Sequence, residues 1–257
     1  MKVFSTSYHQ NLTLDQERLA GFYEAIQDIK GIVFDIGAGS GILTACAAPY
    51  ADFIYSVEKD SRVASKTALF LENFNNVSFI EGDVFEADFP EKADYILCEM
   101  LDTALVDEEQ VLVTNYLLKY LKEEGKMIPH GVINGAEPVS TKSEHISYHE
   151  NGSPQHQVLG PLNIYSRYQF GEYIHPQGDF NLKLKIEEDG LLTGIKITTF
   201  TLITPEIVCG PTPMMNPPLI IPTEKLKVKK GDTVEIHLSY QMGGGLNTIK
   251  TRIQGIS

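Results

Sequence analysis

With 257 residues, 42% of them apolar and 21% charged, the chain holds one large domain or two modest ones and has the composition of a soluble globular protein. No apolar run approaches the ~20 residues of a membrane span, Met1-Lys2-Val3-Phe4-Ser5 leads into no signal-peptide core, and three cysteines without metal or disulfide spacing predict a reducing, cytoplasmic setting. A net charge of −13 has the wrong sign for a nucleic-acid partner, and 22 of the 34 acids fall in residues 1–130 beside only 10 bases.

In chain order, Thr13-Leu14-Asp15-Gln16 has the form of a capping box. Leu19, Phe22, Tyr23, Ile26 and Ile29 follow at helical spacing. Strand 32–36, helix 41–48, strand 53–58, helix 61–73, strands 77–81 and 94–98, helix 107–122 and strand 126–128 come next. Such alternation predicts a mostly parallel sheet with helices on both faces. After Pro129 the helical period disappears. Strands 181–187 and 191–203 read as a hairpin through Asp189-Gly190, and 233–240 and 247–254 are separated by Gly243-Gly244-Gly245. Six of the thirteen prolines lie in 205–222, which reads as an irregular connection. The expected organisation is an α/β cofactor-binding domain over 1–130 and an antiparallel β domain over 131–257.

The run from Val33 to Gly41 carries the first chemistry. Asp35 ends a buried strand, and Gly37, Gly39 and Gly41 make a turn that lets a ligand approach the backbone and the next helix N-terminus. Glu58, ending the second strand, is placed to accept hydrogen bonds from ribose hydroxyls, as in a nucleotide-type site at the carboxyl edge of a parallel sheet. The spacing is D-x-G-x-G-x-G rather than G-x-G-x-x-G. Asp35 would repel a pyrophosphate and suits a cofactor with a cationic amino-acid end. A dinucleotide site and a purely structural turn are the alternatives. The run resembles motif I of the class I S-adenosylmethionine-dependent methyltransferases, and Glu58 sits where that family has its ribose acid.

A second constellation follows strand 94–98. Between Glu81 and Glu109 eleven acids face one base, Lys92. They form either a solvated surface or a rim that attracts a cationic substrate. Glu99 and Glu108, nine residues apart, would fall on opposite faces of a continuous helix and converge only if the chain doubles back. A converged pair can grip a planar guanidinium through forked hydrogen bonds and aim a nitrogen lone pair. Asp102, Asp107 and Glu109 are also readable as helix N-terminal acids, which leaves Glu99 unexplained.

Together these residues give the whole chain a resemblance to the protein arginine methyltransferases. Glu99, Leu105 and Glu108 match that family's paired glutamates with a leucine between them, and Arg18 matches its helix arginine. The order of N-terminal helix, methyltransferase fold, junction proline and β-barrel is similar as well. The resemblance implies that Glu99 and Glu108 hold and orient the acceptor guanidinium. It also implies that Arg18, Asp35, Gly37, Gly39, Glu58, Asp83 and Val84 bind S-adenosylmethionine, without a metal. A protein or small cationic acceptor is expected, with no nucleic-acid or membrane partner; the oligomeric state stays open.

The chain departs from the family at several points. Met100 replaces a tryptophan, and the sequence contains none. The barrel's threonine–histidine–tryptophan loop is missing, with Pro213-Met214-Met215-Asn216 the nearest stretch, and Phe85 replaces an adenine-side glutamate. Residues 130–257 are few for the family's barrel plus a helical dimerisation arm, so no such arm is expected. A small-molecule methyltransferase and a cofactor-binding regulatory protein without catalysis are therefore the alternatives. His145, His149 and His156 read as loop residues rather than a metal site, His130 and His237 as structural. Tyr8 and His9 match a segment that folds over the cofactor.

Overall fold

The computed structural model describes residues 15–149, 153–212 and 214–257. Helix α1 (Gln16–Ile26) begins at Asp15, whose carboxylate accepts the Arg18 N–H at 3.2 Å. The cap is therefore Asp15 rather than Thr13, which, like Tyr8 and His9, lies outside the described residues. Asp15 takes the N–H three residues on, the bond an N-cap side chain makes to the third helical residue. The buried stripe is Arg18, Phe22, Ala25 and Ile26. Tyr23 is half exposed rather than core, and Ile29 is buried beyond the helix end. Asp15 also accepts from the Thr212 hydroxyl, so the second half of the chain holds the start of α1.

Five strands form a parallel sheet in the order β3-β2-β1-β4-β5: β1 (Ile32–Ile36), β2 (Phe53–Glu58), β3 (Val77–Glu81), β4 (Ala93–Cys98) and β5 (Leu121–Ile128). Helices α2 (Ile42–Ala47), α3 (Ser61–Leu71) and α4 (Gln110–Leu117) connect them. Central β1 pairs with β2 and β4, so Val33 to Ile36 are buried. Phe34 stacks on Phe89 with centroids 4.1 Å apart and meets Tyr55 and Tyr120 edge-on. The helix predicted over 107–122 is only α4. A single 3-10 turn at Leu118–Tyr120 passes directly into β5. Lys122, Glu123 and Glu124 have helical propensity but lie exposed on the strand that ends the sheet, where polar side chains face water.

Beyond Ile128 the described residues contain no α-helix. One antiparallel sheet runs β7 (Ser147–Tyr148), β13 (Leu219–Val228), β11 (Gly190–Leu202), β6 (Gly131–Thr141) and β8 (His156–Val158). It is joined by β9 (Asn163–Gln169) on β6 and β12 (Val208–Cys209) on β11. The other sheet is β10 (Gln177–Lys185), β14 (Thr233–Gln241) and β15 (Lys250–Ile256), and β10 packs on β6. The hairpin through Gly243-Gly244-Gly245 is present as β14–β15.

The other expected hairpin is not. β10 pairs with β14 from Gln177↔Gln241 to Lys185↔Thr233, whereas β11 pairs with β6 and β13. Neither Asp189 nor Gly190 has the positive φ of a tight two-residue turn. Their segment bonds elsewhere: Ile186 N–H to Asp232, Glu187 N–H to Leu159, and Lys230 N–H to the Asp189 carboxylate. The proline-rich stretch also departs from expectation, because it contains β12 and the start of β13. Pro222 is accommodated opposite Gly194, where a bulge shifts the register. Cys98 and Cys209 are buried and Cys46 half-buried, all three free. No helix among the described residues is long and apolar enough to cross a membrane.

Candidate functional site

A cleft of about 560 Å³ opens at the carboxyl ends of β1, β2, β3 and β4, where an open parallel sheet binds its ligand. Its floor is the glycine turn. Gly37, Gly39 and Gly41 have φ of 73°, 55° and 77°, a region that only glycine adopts cheaply. The Val57 carbonyl accepts both the Gly37 and Ala38 N–H, fastening the turn to β2. A Cβ on Gly37 would lie 3.1 Å from Met100, so a side chain there would close the floor.

The acids at the floor have distinct environments. Asp35 is 2% exposed and accepts from the Thr44 hydroxyl, which also meets Ser56 at 3.0 Å. Burial, resisted by Thr44 and reinforced by Glu58 and Glu99, pushes the Asp35 carboxyl up to about 6. Glu58 accepts the N–H of Gly39 and of Asp60, each at 2.8 Å, and so locks the glycine turn to the end of β2. Asp83 follows β3 and accepts the Phe85 N–H at 3.0 Å. That bond, with Lys59 at 3.3 Å, holds its carboxyl below the usual range.

The other wall is the loop from Glu99 to Glu109. It turns through a 3-10 segment, Thr103–Leu105, in which Ala104 and Leu105 have φ of 65° and 60°. Those values reverse the chain and bring Glu99 and Glu108 to one cleft. Asp102 is the centre of the turn. Its carboxylate accepts the N–H of Val106, Asp107 and Glu108 at 3.0, 2.9 and 3.2 Å and the Tyr148 hydroxyl at 3.1 Å. Burial still raises that carboxyl to about 7 against these donors. Asp102 is thus an internal anchor of the loop rather than the helix N-terminal acid its position in sequence suggested.

The β half grips the loop from outside. Thr103 donates to the Pro217 carbonyl at 2.7 Å and Ala104 N–H to Thr199 Oγ1 at 2.8 Å. Gly243 and Gly245 donate to Leu105 and Val106 at 3.0 and 2.8 Å. The stretch 214–217 therefore supports the loop from behind. Asn216, fully buried, donates to Thr201 rather than reaching the cleft.

All nine residues named from the sequence line this cleft: Arg18, Asp35, Gly37, Gly39, Glu58, Asp83 and Val84, with Glu99 and Glu108 at the two ends of the acidic loop. One pairing was not anticipated. Arg18 and Glu99, read as serving different ligands, form a buried ion pair. Glu108 has its carboxyl raised by partial desolvation, then by Asp107 and Glu99. Sequence reasoning missed Lys59, which bridges Asp83 and Glu109 (3.6 Å), and Thr44, Gln110 and Tyr148. Only Lys59, adjacent to Glu58, carried a sequence signal.

Both readings of the acidic run apply to parts of it. Asp83, Glu99, Glu108 and Glu109 line the cleft, where Asp35, Glu58 and Asp60 make seven acids against Arg18 and Lys59 among the described residues. Glu81, Glu86, Asp88 and Glu91 lie exposed outside. His149 and His156 come from two strand ends, with ring centroids 4.7 Å apart. No metal-ligating group of three or more occurs among the described residues. His130 is half-buried, and His237 meets Asp179 at 3.1 Å.

A family model described as ribosomal RNA adenine dimethylase matches residues 1–116. An uncharacterized protein of Methanothermobacter thermautotrophicus is 46% identical over 98% of this chain and 100% of its own length. Another, of Methanocaldococcus jannaschii, is 39% identical over 96% of each. A probable histone-arginine methyltransferase CARM1 of Oryza sativa subsp. indica is 34% identical over 48% of this chain, but only 25% of that protein. The Trypanosoma brucei PRMT1 enzyme–prozyme complex with AdoHcy superposes with a TM-score of 0.77 at 17% identity, covering 95% of this chain and 93% of that one. Protein arginine methyltransferase 10 of Arabidopsis thaliana gives 0.77 at 18% identity, covering 91% and 88%. With its glycine turn and the acid that ends β2 at the head of such a fold, the chain belongs to one family with the two archaeal proteins, has the fold of the protein arginine methyltransferases and resembles the class I S-adenosylmethionine-dependent methyltransferases.

Proposed function

We propose that the protein methylates a nitrogen of a cationic acceptor, a protein arginine guanidinium. The observation that carries this reading is the convergence of Glu99 and Glu108 on the cleft that also holds the cofactor-type residues. Two carboxylates on one side of a guanidinium neutralise it, fix its plane and concentrate lone-pair density on one nitrogen.

The donor set fits S-adenosylmethionine. Asp35 offers a buried carboxylate to an ammonium, and Arg18 a guanidinium to a carboxylate. Glu58 keeps lone pairs for ribose hydroxyls after accepting two backbone N–H groups. Asp83, Val84 and Phe85 line the side left for adenine. Bound there, the cofactor would supply a sulfonium methyl group to the acceptor nitrogen, leaving as the neutral thioether while the acceptor gives up one proton. The chain contributes orientation and charge: Glu99 and Glu108 hold the acceptor, and the seven acids of the cleft stabilise its positive charge. Three free cysteines fit a cytoplasmic enzyme.

The match to the RNA adenine dimethylase model favours a second reading, methylation of an RNA base. It covers the donor half only, and the acids of the cleft would repel a phosphate backbone. Transfer from methyl-labelled S-adenosylmethionine into cell extract separates the readings. Protease-sensitive label lost in Glu108→Gln, with cofactor affinity kept, supports arginine methylation. Nuclease-sensitive label establishes the RNA reading, and label in the small-molecule fraction a free acceptor.

A further inference from the structure

The two glutamates are tied to each other through a side chain that bonds to the backbone on either side of Glu99. Gln110, the first residue of α4, is completely buried. Its Oε1 accepts the Met100 N–H at 2.8 Å, and its Nε2 donates to the Cys98 carbonyl at 2.8 Å. Those two backbone groups flank Glu99. One carboxamide therefore takes the place of a neighbouring strand at the point where β4 ends and the backbone of Glu99 has left the sheet. Gln110 is also two residues past Glu108, so its own backbone fixes where that glutamate leaves the loop.

We propose that Gln110 is the positioning residue that sets Glu99 against Glu108. Asp102 shapes the interior of the loop, and Gln110 closes its neck. The chemistry is selective. A carboxamide both accepts from an N–H and donates to a carbonyl. Methionine of similar length can do neither. Asparagine keeps both functions but is one methylene too short to span Cys98 and Met100. Loss of the bridge frees the Glu99 backbone to rotate, and a displacement of about 1 Å at a reacting centre costs roughly a hundredfold in rate.

This inference rests on the reading of Glu99 and Glu108 as the acceptor clamp. The test uses the full chain, an eight-residue peptide with one central arginine, and AdoHcy as the probe of the cofactor half. In Gln110→Met and Gln110→Asn, kcat/KM for the peptide is expected to fall about tenfold to a hundredfold, while the AdoHcy Kd stays within about twofold. In a Glu99→Gln background the same substitutions are expected to cost almost nothing further, because Gln110 acts through Glu99. Asparagine preserves the polarity of the site, so it gives a folded variant even where methionine does not. Losses that add fully to that of Glu99→Gln, or equal losses of peptide and AdoHcy binding, would show a general structural role and overturn the proposal. Unchanged kinetics in both variants would overturn it too. If Glu99→Gln and Glu108→Gln methylate the peptide as well as the wild type, the clamp reading falls first and takes the proposal with it.

Discussion

Arg18 on α1 and Glu99 at the end of β4 form an ion pair with only 4% and 10% of their side chains exposed. The pair joins the N-terminal helix to the acidic loop, and breaking one side leaves the other charge buried. Removing one partner of such a pair costs about 3–5 kcal/mol. Arg18→Ala is expected to destabilise the protein by about 3 kcal/mol in urea unfolding and to weaken S-adenosylmethionine binding at the same time. A loss below about 1 kcal/mol, the range of an exposed pair, would contradict the burial argument.

Asp35 gives the cofactor site a pH dependence. Its carboxyl is pushed from 3.8 up to about 6, chiefly by burial. The folded protein therefore holds this proton more tightly than the unfolded chain. The resulting stabilisation is complete below 3.8 and is lost as the pH rises through about 6. Asp35→Asn is expected to stabilise the ligand-free protein at pH 7 by on the order of 2 kcal/mol, since one pKa unit corresponds to about 1.4 kcal/mol. Binding of a cationic amino-acid end should reverse the preference. Wild-type affinity for S-adenosylmethionine should rise between pH 5 and 7 while that of Asp35→Asn stays flat, as calorimetry across that range (about one unit either side of 6) would show. Parallel curves would remove Asp35 from the cofactor site.

The Tyr148 hydroxyl reaches Asp102 from β7, 46 residues along the chain. Among the described residues it is the only one of four donors to that carboxylate supplied by the β half. Hydrogen bonds to a charged group contribute about 1.5–3 kcal/mol. Tyr148→Phe is expected to loosen the loop locally, seen as faster amide exchange at Val106, Asp107 and Glu108 while β1 and β4 keep their protection. Turnover should fall more than cofactor affinity. Uniform exchange across both regions would assign the bond to global stability instead.

The parts of this arrangement that were legible in the sequence are those written in local pattern. Ile32 to Asp35 and Phe53 to Glu58 are short apolar runs ending in an acid, and they stand in the parallel sheet where such runs place a ligand site. The need for Glu99 and Glu108 to converge through a reversal also followed from helical geometry, and Ala104 and Leu105 supply it. Long-range choices left no such trace. Asp189-Gly190 has turn chemistry, yet Asp232 and Leu159 took the hydrogen bonds of its segment and sent β10 to a different sheet from β11. Gln110 and Asp102 act on backbone groups, which every residue possesses. Their role becomes visible only when the loop is folded.

Lys59 sets the charge at the mouth of the cleft. It lies 3.3 Å from Asp83 and 3.6 Å from Glu109, on opposite walls, with 65% of its side chain exposed. Exposed pairs of this kind contribute little to stability. Lys59 is, however, one of two cations facing seven acids among the described residues, and the other, Arg18, is buried against Glu99. Lys59→Ala is therefore expected to leave the melting temperature nearly unchanged and to deepen the negative potential that draws in a cationic acceptor. For an arginine peptide at low ionic strength, kcat/KM should rise about twofold to fivefold through faster association, as electrostatic steering allows. The gain should vanish at about 0.5 M salt, where the screening length is only a few ångströms. A fall in kcat/KM that persists at high salt would instead mean that Lys59 contacts a ligand directly.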